Sequence, residues 1–212
     1  MVDLLNRGGS RRIFLKNRGK ILQSNRKRWN ERFRGKEFAF GKEASPFLKR
    51  HIHLLQKGRA LDIAAGEGRN AVYLAQHGFV VDAVDISETG LKKARKWAKE
   101  RRVKIHALLT DLNTYQIEKG RYDLIANFYF LNRRLIPKMK KGLKHGGRII
   151  FETYILEQRG LGTGGPKHPR YFLKHNELLS LFQGFRVLVY REGIFKEGDR
   201  KKAIASLVAE KI

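Results

Sequence analysis

Asp62 is an acid set inside an apolar run, Ala60-Leu61-Asp62-Ile63-Ala64, that ends in Ala65-Gly66-Glu67-Gly68. A helical pattern from Arg69 to His77 follows at once, so the stretch reads as strand, tight turn, helix. Glycine serves such a turn because it takes positive φ and lets a ligand lie against the backbone. The turn also leaves the first N–H groups of the helix facing that ligand. Gly66-Glu67-Gly68-Arg69-Asn70-Ala71 satisfies the G-x-G-x-x-G/A dinucleotide pattern, and a plain strand-to-helix turn would satisfy it equally. Asp62 separates these readings, because its carboxylate would repel a pyrophosphate held at the turn and attract a cation.

S-adenosylmethionine carries a sulfonium and an ammonium and no phosphate, and so suits an acid there better than a nicotinamide or flavin dinucleotide does. In an open parallel sheet the ligand lies at the carboxyl ends of the strands. Asp62, with Ala64, Gly66, Gly68 and Asn70 in and after the turn, would hold the amino-acid part of such a cofactor. Asp85, followed by Ile86, ends the next strand roughly 20 residues on, where an acid accepts from both ribose hydroxyls. Asp111 would accept from the adenine amino group with Leu112 against the ring, and Asn127 would lie beside the reactive methyl. A strand-end aspartate also serves as a helix cap or turn former, Asp111-Leu112-Asn113 above all. The aromatic run Phe128-Tyr129-Phe130 reads as core or as site.

The elements that must position these residues alternate regularly. Strands are expected over 60–64, 79–84, 103–109, 122–126 and 148–152, with helices between them. Ser45-Pro46 opens an earlier helix, serine as cap and proline at its first position. Ser87 with Glu88 opens another, and Gly78 closes the helix after the glycine turn. Residues 155–171 form a glycine- and proline-rich loop, and a short helix follows over 176–182. Strands over 185–191 and 203–210, joined by Lys196-Glu197-Gly198-Asp199-Arg200, must pair as a hairpin. The expected fold is α/β, a doubly wound and mostly parallel seven-stranded sheet with an antiparallel C-terminal hairpin.

The 212 residues suit one domain with some excess at the ends, and 42% apolar residues suffice for a core. No apolar run reaches about eighteen residues, so no membrane insertion is expected. The start, Met1 to Arg7, lacks the apolar core of a secretory signal, which makes a soluble cytoplasmic protein the expectation. Zero cysteines exclude disulfides, Cys-ligated zinc and thiolate catalysis. His51 and His53 cannot share a helix face, and no metal is expected. The net charge of +26 predicts attraction to polyanions, or else a Lys/Arg-rich surface of the heat-adapted kind. Residues 1–28 form a basic arm in which Asp3 is the one acid.

Leu61 to Asn70, with Val84-Asp85-Ile86-Ser87 and Thr110-Asp111-Leu112-Asn113, resembles the class I S-adenosylmethionine-dependent methyltransferases. The likeness spans roughly residues 29–210. Within that superfamily, Gly68 to Ala75 followed by Gly78, the stretch Trp29 to Gly41, and Phe172 to Leu178 with Gly184-Phe185 resemble the tellurite-resistance and thiopurine methyltransferase branch. The resemblance implies a Rossmann-like methyltransferase domain over 58–212, preceded by a segment, 29–57, that folds over the cofactor. Ala64 departs from the superfamily pattern, which has a glycine there.

A methyltransferase acting on a small, anionic or chalcogen-containing acceptor is the reading this favours. Phe40, Tyr129, Tyr154, Gln158, His168 and Arg170 are the candidate substrate contacts, the last four in or near the 155–171 loop. Methyl transfer is largely in-line positioning with water excluded, so no catalytic base is named. One alternative is an RNA or DNA methyltransferase using the basic arm, although Asn127-Phe128-Tyr129-Phe130 lacks the two prolines common in amino-methylating nucleic-acid enzymes. Another is an S-adenosylmethionine-binding protein without turnover. The sequence specifies neither the methyl acceptor nor the oligomeric state.

Overall fold

The computed structural model of the chain describes residues 22–197 and 200–212. The greater part of the basic arm, residues 1–21, lies outside the described residues, as do Gly198 and Asp199 of the expected hairpin turn. A first helix, α1, occupies residues 22–32 and so runs through the arm boundary drawn at residue 28. It is followed by α2 (Pro46–His51), β1 (Arg59–Ile63), α3 (Arg69–Gln76), β2 (Val80–Asp85) and α4 (Glu88–Glu100). Then come β3 (Ile105–Leu109), β4 (Tyr122–Phe128), α5 (Ile136–Gly142), β5 (Leu143–Tyr154), α6 (Glu177–Leu181), β6 (Phe185–Glu197) and β7 (Arg200–Lys211).

The seven strands form one sheet in the order β3-β2-β1-β4-β5-β7-β6. The first five strands pair in parallel, and β7 joins β5 and β6 antiparallel. The chain reverses direction across the sheet between β1 and β4, which opens the crevice where ligands of such folds bind. Leu61, Ile125, Ile149, Phe151 and Leu207 pack on one face with α5 and α6 residues such as Met139 and Leu178. Ala60, Ala126, Ile150 and Val208 pack on the other with Phe47 of α2 and Leu74 of α3. The two-sided apolar strands are what a parallel sheet covered by helices requires.

Several caps form as the residue types dictate. Ser45 Oγ accepts from Phe47 N ahead of Pro46, and Ser87 Oγ accepts from Gly90 N at the start of α4. Gly78 follows the cap of α3 with φ 88°. Three strands run longer than their composition suggests. β5 begins at Leu143 rather than Arg148, because His145-Gly146-Gly147 is carried inside the strand as an irregular pairing with β4. The hairpin arms extend to Glu197 and from Arg200, through a charged stretch that pattern reading assigns to a turn. β6 also carries a register shift between Val187 and Val189, so Leu188 is an extra residue opposite β7.

The glycine turn is built tightly. Ala64, Gly66 and Gly68 all take positive φ, at 54°, 56° and 83°. A Cβ on Gly68 would stand 2.6 Å from Ala94 Cβ of α4, so only glycine lets α3 and α4 approach this closely. Gly68→Ala is therefore expected to destabilise the protein by about 2–4 kcal/mol, from overpacking plus left-handed strain. A denaturant midpoint unchanged within error would contradict this account of the turn.

Candidate cofactor and acceptor site at the strand tips

The turn brings the acids of β1 and β2 together. Asp85 Oδ2 accepts from Gly66 N at 2.8 Å, and its Oδ1 accepts from Ser87 N at 2.7 Å. Asp62 lies beside this pair, 2% exposed. Among the described residues, its Oδ2 and the Oδ1 of Asn127 are buried polar atoms without a partner. Buried carboxylate oxygens are normally satisfied, so this vacancy in the hydrogen bonding marks a place for a donor. Burial, and then the nearby Asp85 charge, push the Asp62 carboxyl up to about 7, against the opposing pull of Arg69 and the Ala71 N–H. Burial also raises Asp85, opposed by the N–H groups of Ser87, Gly66 and Ile86.

The remaining expected cofactor residues fall around these two. Ala64 and Gly66 form the turn, with Ala65 N bonded to Val84 O across to β2. Asn127 pairs in register with Ile63 of β1, and its amide donates to Phe130 O at 2.7 Å. Ile86 is half-buried, and Leu112 belongs to the core cluster against which Ala64 packs. Asp111 stands at the tip beside Asp85, linked through the Thr110 N to Asp85 O bond. Its Oδ1 is engaged by the Asn113 backbone and side-chain amides, so it also shapes its own turn. Asn70 is tied elsewhere, its Oδ1 accepting from Ser45 N at 2.9 Å.

Residues 29–40 lie over the turn. The Phe33 ring is 3% exposed, with its Cζ 3.2 Å from where a Gly66 Cβ would be. Trp29, Phe33 and the half-exposed Phe40 form an aromatic trio. Asn30 Oδ1 accepts from Ser87 Oγ and Thr89 N at the start of α4. Buried Glu67 takes Ala39 N at 2.8 Å and Lys93 at 2.7 Å, fastening the far end of the segment. A hollow of about 520 Å³ lies elsewhere. It is lined by Leu55, His77 and Phe79 among others, at the C-terminal end of α3, and faces away from the strand tips.

Of the expected substrate contacts, Tyr129 and Tyr154 come together at the tips of β4 and β5, their ring centroids 5.0 Å apart. Gln158 is 2% exposed and is used within its loop. Its amide nitrogen donates to Thr163 Oγ1 and Gly164 O, and its Oε1 accepts from Ala203 N. His168 and Arg170 are exposed, where His168 caps the short 3₁₀ turn Pro169–Tyr171 and Arg170 reaches the Tyr171 hydroxyl at 2.8 Å. Among the described residues, neither bonds to a strand-tip acid.

Glu152 is the buried group that sequence reasoning passes over, being read only as the end of a strand. It is 0% exposed and accepts four side-chain hydrogen bonds. Ser45 Oγ and the Tyr129 hydroxyl reach Oε1 at 3.2 and 3.0 Å, while Arg191 and Ser206 Oγ reach Oε2 at 3.1 and 2.8 Å. The signal that finds Asp62, an acid closing an apolar strand, applies to Ile149-Ile150-Phe151-Glu152 as well.

Comparison with known proteins gives the architecture its relatives. The crystal structure of TehB from Haemophilus influenzae superposes with a TM-score of 0.67 at 22% identity, covering 80% of this chain and 62% of that one. An S-adenosylmethionine-dependent methyltransferase from Mesorhizobium loti superposes with a TM-score of 0.61 at 18% identity, over 79% of this chain and 99% of that one. The fold is thus that of the Rossmann-like methyltransferases. In sequence, a Haemophilus influenzae protein named probable S-adenosyl-L-methionine-dependent methyltransferase TehB is 27% identical over 166 residues, 72% of this chain. The alignment spans 57% of that relative's length. A ubiquinone biosynthesis O-methyltransferase of Coxiella burnetii is 28% identical over 112 residues, half of this chain and 47% of its own. The family model described as tellurite resistance protein TehB matches residues 30–203, and on that match the chain belongs to the TehB family.

Proposed function

We propose that the protein is an S-adenosylmethionine-dependent methyltransferase acting on a small, anionic or chalcogen-containing acceptor. The observation that carries this reading is the buried, unpartnered Oδ2 of Asp62 beside the left-handed turn, a place suited to a cationic donor such as an ammonium. Asp85 supplies a second carboxylate for hydroxyl groups, and Leu112 an apolar surface for a ring. Bound there, the cofactor supplies a methyl group already activated by its positive sulfur. The chain's own residues then orient the acceptor and exclude water, which the aromatic trio over the turn is placed to do. The relatives named as S-adenosyl-L-methionine-dependent methyltransferases support the reaction class, and the family's printed association with tellurite resistance supports the chalcogen acceptor.

Calorimetric titration with S-adenosylmethionine is expected to give micromolar binding, and labelled methyl is expected to pass to tellurite, selenite or a small thiol. Absence of any binding would end the reading. Binding without transfer to any acceptor would make the protein a cofactor-binding protein instead. The +26 charge favours a second reading, a nucleic-acid acceptor. It requires methyl transfer to RNA or DNA with an affinity that falls steeply with salt.

A further inference from the structure

We propose that the outer face of α4 is a docking surface for the phosphate backbone of duplex nucleic acid, independent of base sequence. The inference goes beyond the methyltransferase reading and does not depend on it. It starts from where the chain puts its surplus of positive charge, 46 Lys and Arg against 20 Asp and Glu. Helix α4 buries Leu91, Ala94, Trp97 and Ala98 on its inner side. Lys92, Arg95, Lys96 and Lys99 of the same helix are exposed. At 3.6 residues per turn they fall within about 100° of the helix circumference and so form one stripe. Arg102 and Lys104 follow, both exposed, before β3 begins.

Whether such a stripe is free to bind depends on the acids around it. On a surface of the heat-adapted kind, acids and bases are woven into ion-pair networks. The acids of α4, Glu88 and Glu100, stand four residues from Lys92 and Lys96, the spacing at which they would pair within the helix. Neither does so. Glu88 accepts from Arg26 of α1 at 3.4 Å, and Glu100 stands 3.9 Å from Lys42, ahead of α2. The N-terminal part of the chain thus brings its own cations to both acids. Lys93, on the flank of the stripe, is taken by Glu67 at 2.7 Å. Arg95 donates to Ala107 O at 2.9 Å, a neutral acceptor that leaves its charge uncompensated. Among the described residues, Lys92, Lys96 and Lys99 enter no ion pair.

Charge density and the absence of exposed apolar groups on α4 select the partner. At a rise of 1.5 Å per residue, Lys92 to Lys99 covers about 10 Å of helix axis. One strand of a duplex carries a phosphate about every 3.4 Å of its own axis, so the stripe meets about one phosphate per cation. An anionic membrane surface would want apolar side chains to insert beside the cations, and those of α4 are all buried. Single strands are held by stacking on open aromatic rings. The one aromatic ring of α4, Trp97, is 8% exposed and lies between Lys42 and Arg101, at 4.1 and 4.2 Å. Helix α4 runs from the tip of β2, where Asp85 lies, back to the turn before β3. A duplex held along it by phosphates keeps its bases stacked, which makes it a docking partner and not the methyl acceptor.

The test is fluorescence anisotropy of a labelled DNA duplex of about 20 base pairs, titrated with the full chain between about 50 and 200 mM salt. The triple variant Lys92→Gln, Lys96→Gln, Lys99→Gln keeps good helix formers in place and removes the stripe's lysine charges. It is expected to make the slope of log affinity against log salt shallower by about 3. Binding at about 100 mM salt should weaken at least tenfold, with the melting temperature unchanged. The control variant Lys119→Gln, Lys141→Gln, Lys201→Gln removes equal charge from exposed positions outside α4. It should move the slope by less than about 1. Equal slopes in the native protein and the α4 variant would overturn the assignment, as binding carried by residues 1–21 alone would give. So would equal losses in the two variants, the mark of net charge and not of a particular surface. A native chain that binds no duplex at about 50 mM salt, or that prefers phosphatidylserine vesicles to the duplex at the same salt, would overturn it as well.

Discussion

Asp62→Asn is expected to weaken S-adenosylmethionine binding by about 100-fold or more, the loss that follows removal of one member of a buried ion pair. The same change is expected to make the ligand-free protein more stable in alkaline solution. Both effects have one origin. In the ligand-free protein the buried carboxyl has been pushed from the ordinary 3.8 up to about 7. The folded state therefore holds a proton that the unfolded chain has already released. The stability this proton confers is complete below pH 3.8 and is lost as pH rises through 7. Three pH units at about 1.4 kcal/mol each make the ionised form cost at most about 4 kcal/mol in the folded state. Asparagine carries no such penalty, although its buried amide returns part of the gain. The gap between the melting curves of the two proteins should widen from pH 5 to pH 8. A cation bound at Oδ2 prefers the carboxylate, so cofactor affinity should rise with pH up to about 7 and then level off. A pH-independent affinity between 5 and 7 would contradict the place given to Asp62.

Glu152→Gln is expected to destabilise the protein by about 3–5 kcal/mol, which lowers the melting temperature by about 10 °C in a chain of this size. The volume hardly changes, so packing is not the cause. The carboxylate is the one acceptor shared by Ser45, Tyr129, Arg191 and Ser206, and neutralising it leaves Arg191 with a desolvated charge and no counter-charge there. Through Ser45, which also binds Asn70 of α3, the loss reaches the helix behind the glycine turn. A second substitution, Arg191→Met, should recover much of the stability in the Gln background and little in the native one. Additive costs would show that the two side chains are not coupled.

The alternation of elements and the turn with its two acids were legible because they depend on local chemistry. Ser45, Ser87, Gly68 and Gly78 do their work within a few residues of themselves, and strand-end acids follow apolar runs. Glu152 shares the local signal of an acid closing an apolar strand, but its role is not legible there. Its partner Ser45 is 107 residues away, and nothing near Glu152 in the chain announces that contact. Gln158 and Asn70 show the converse, since polar residues in a loop or turn give no sign in the chain of their long-range bonds to Ala203 and Ser45. The extent of the hairpin arms was hidden by their charge, which antiparallel pairing tolerates at an exposed end.

Arg186 and Arg191 are five positions apart in β6, which in an uninterrupted strand puts them on opposite sides. They nevertheless share a side, Arg186 opposite Glu210 and Arg191 opposite Ser206, because the strand absorbs Leu188 as a supernumerary residue. Shortening the chain by that single leucine would leave every later partner of β7 where it is. Losing any one residue between Val189 and Arg191 instead forces a choice between erasing the kink and turning the guanidinium away from its buried carboxylate. Length variation in this arm is thus tolerated at one position, and its neighbours are held to their count by the charge they deliver.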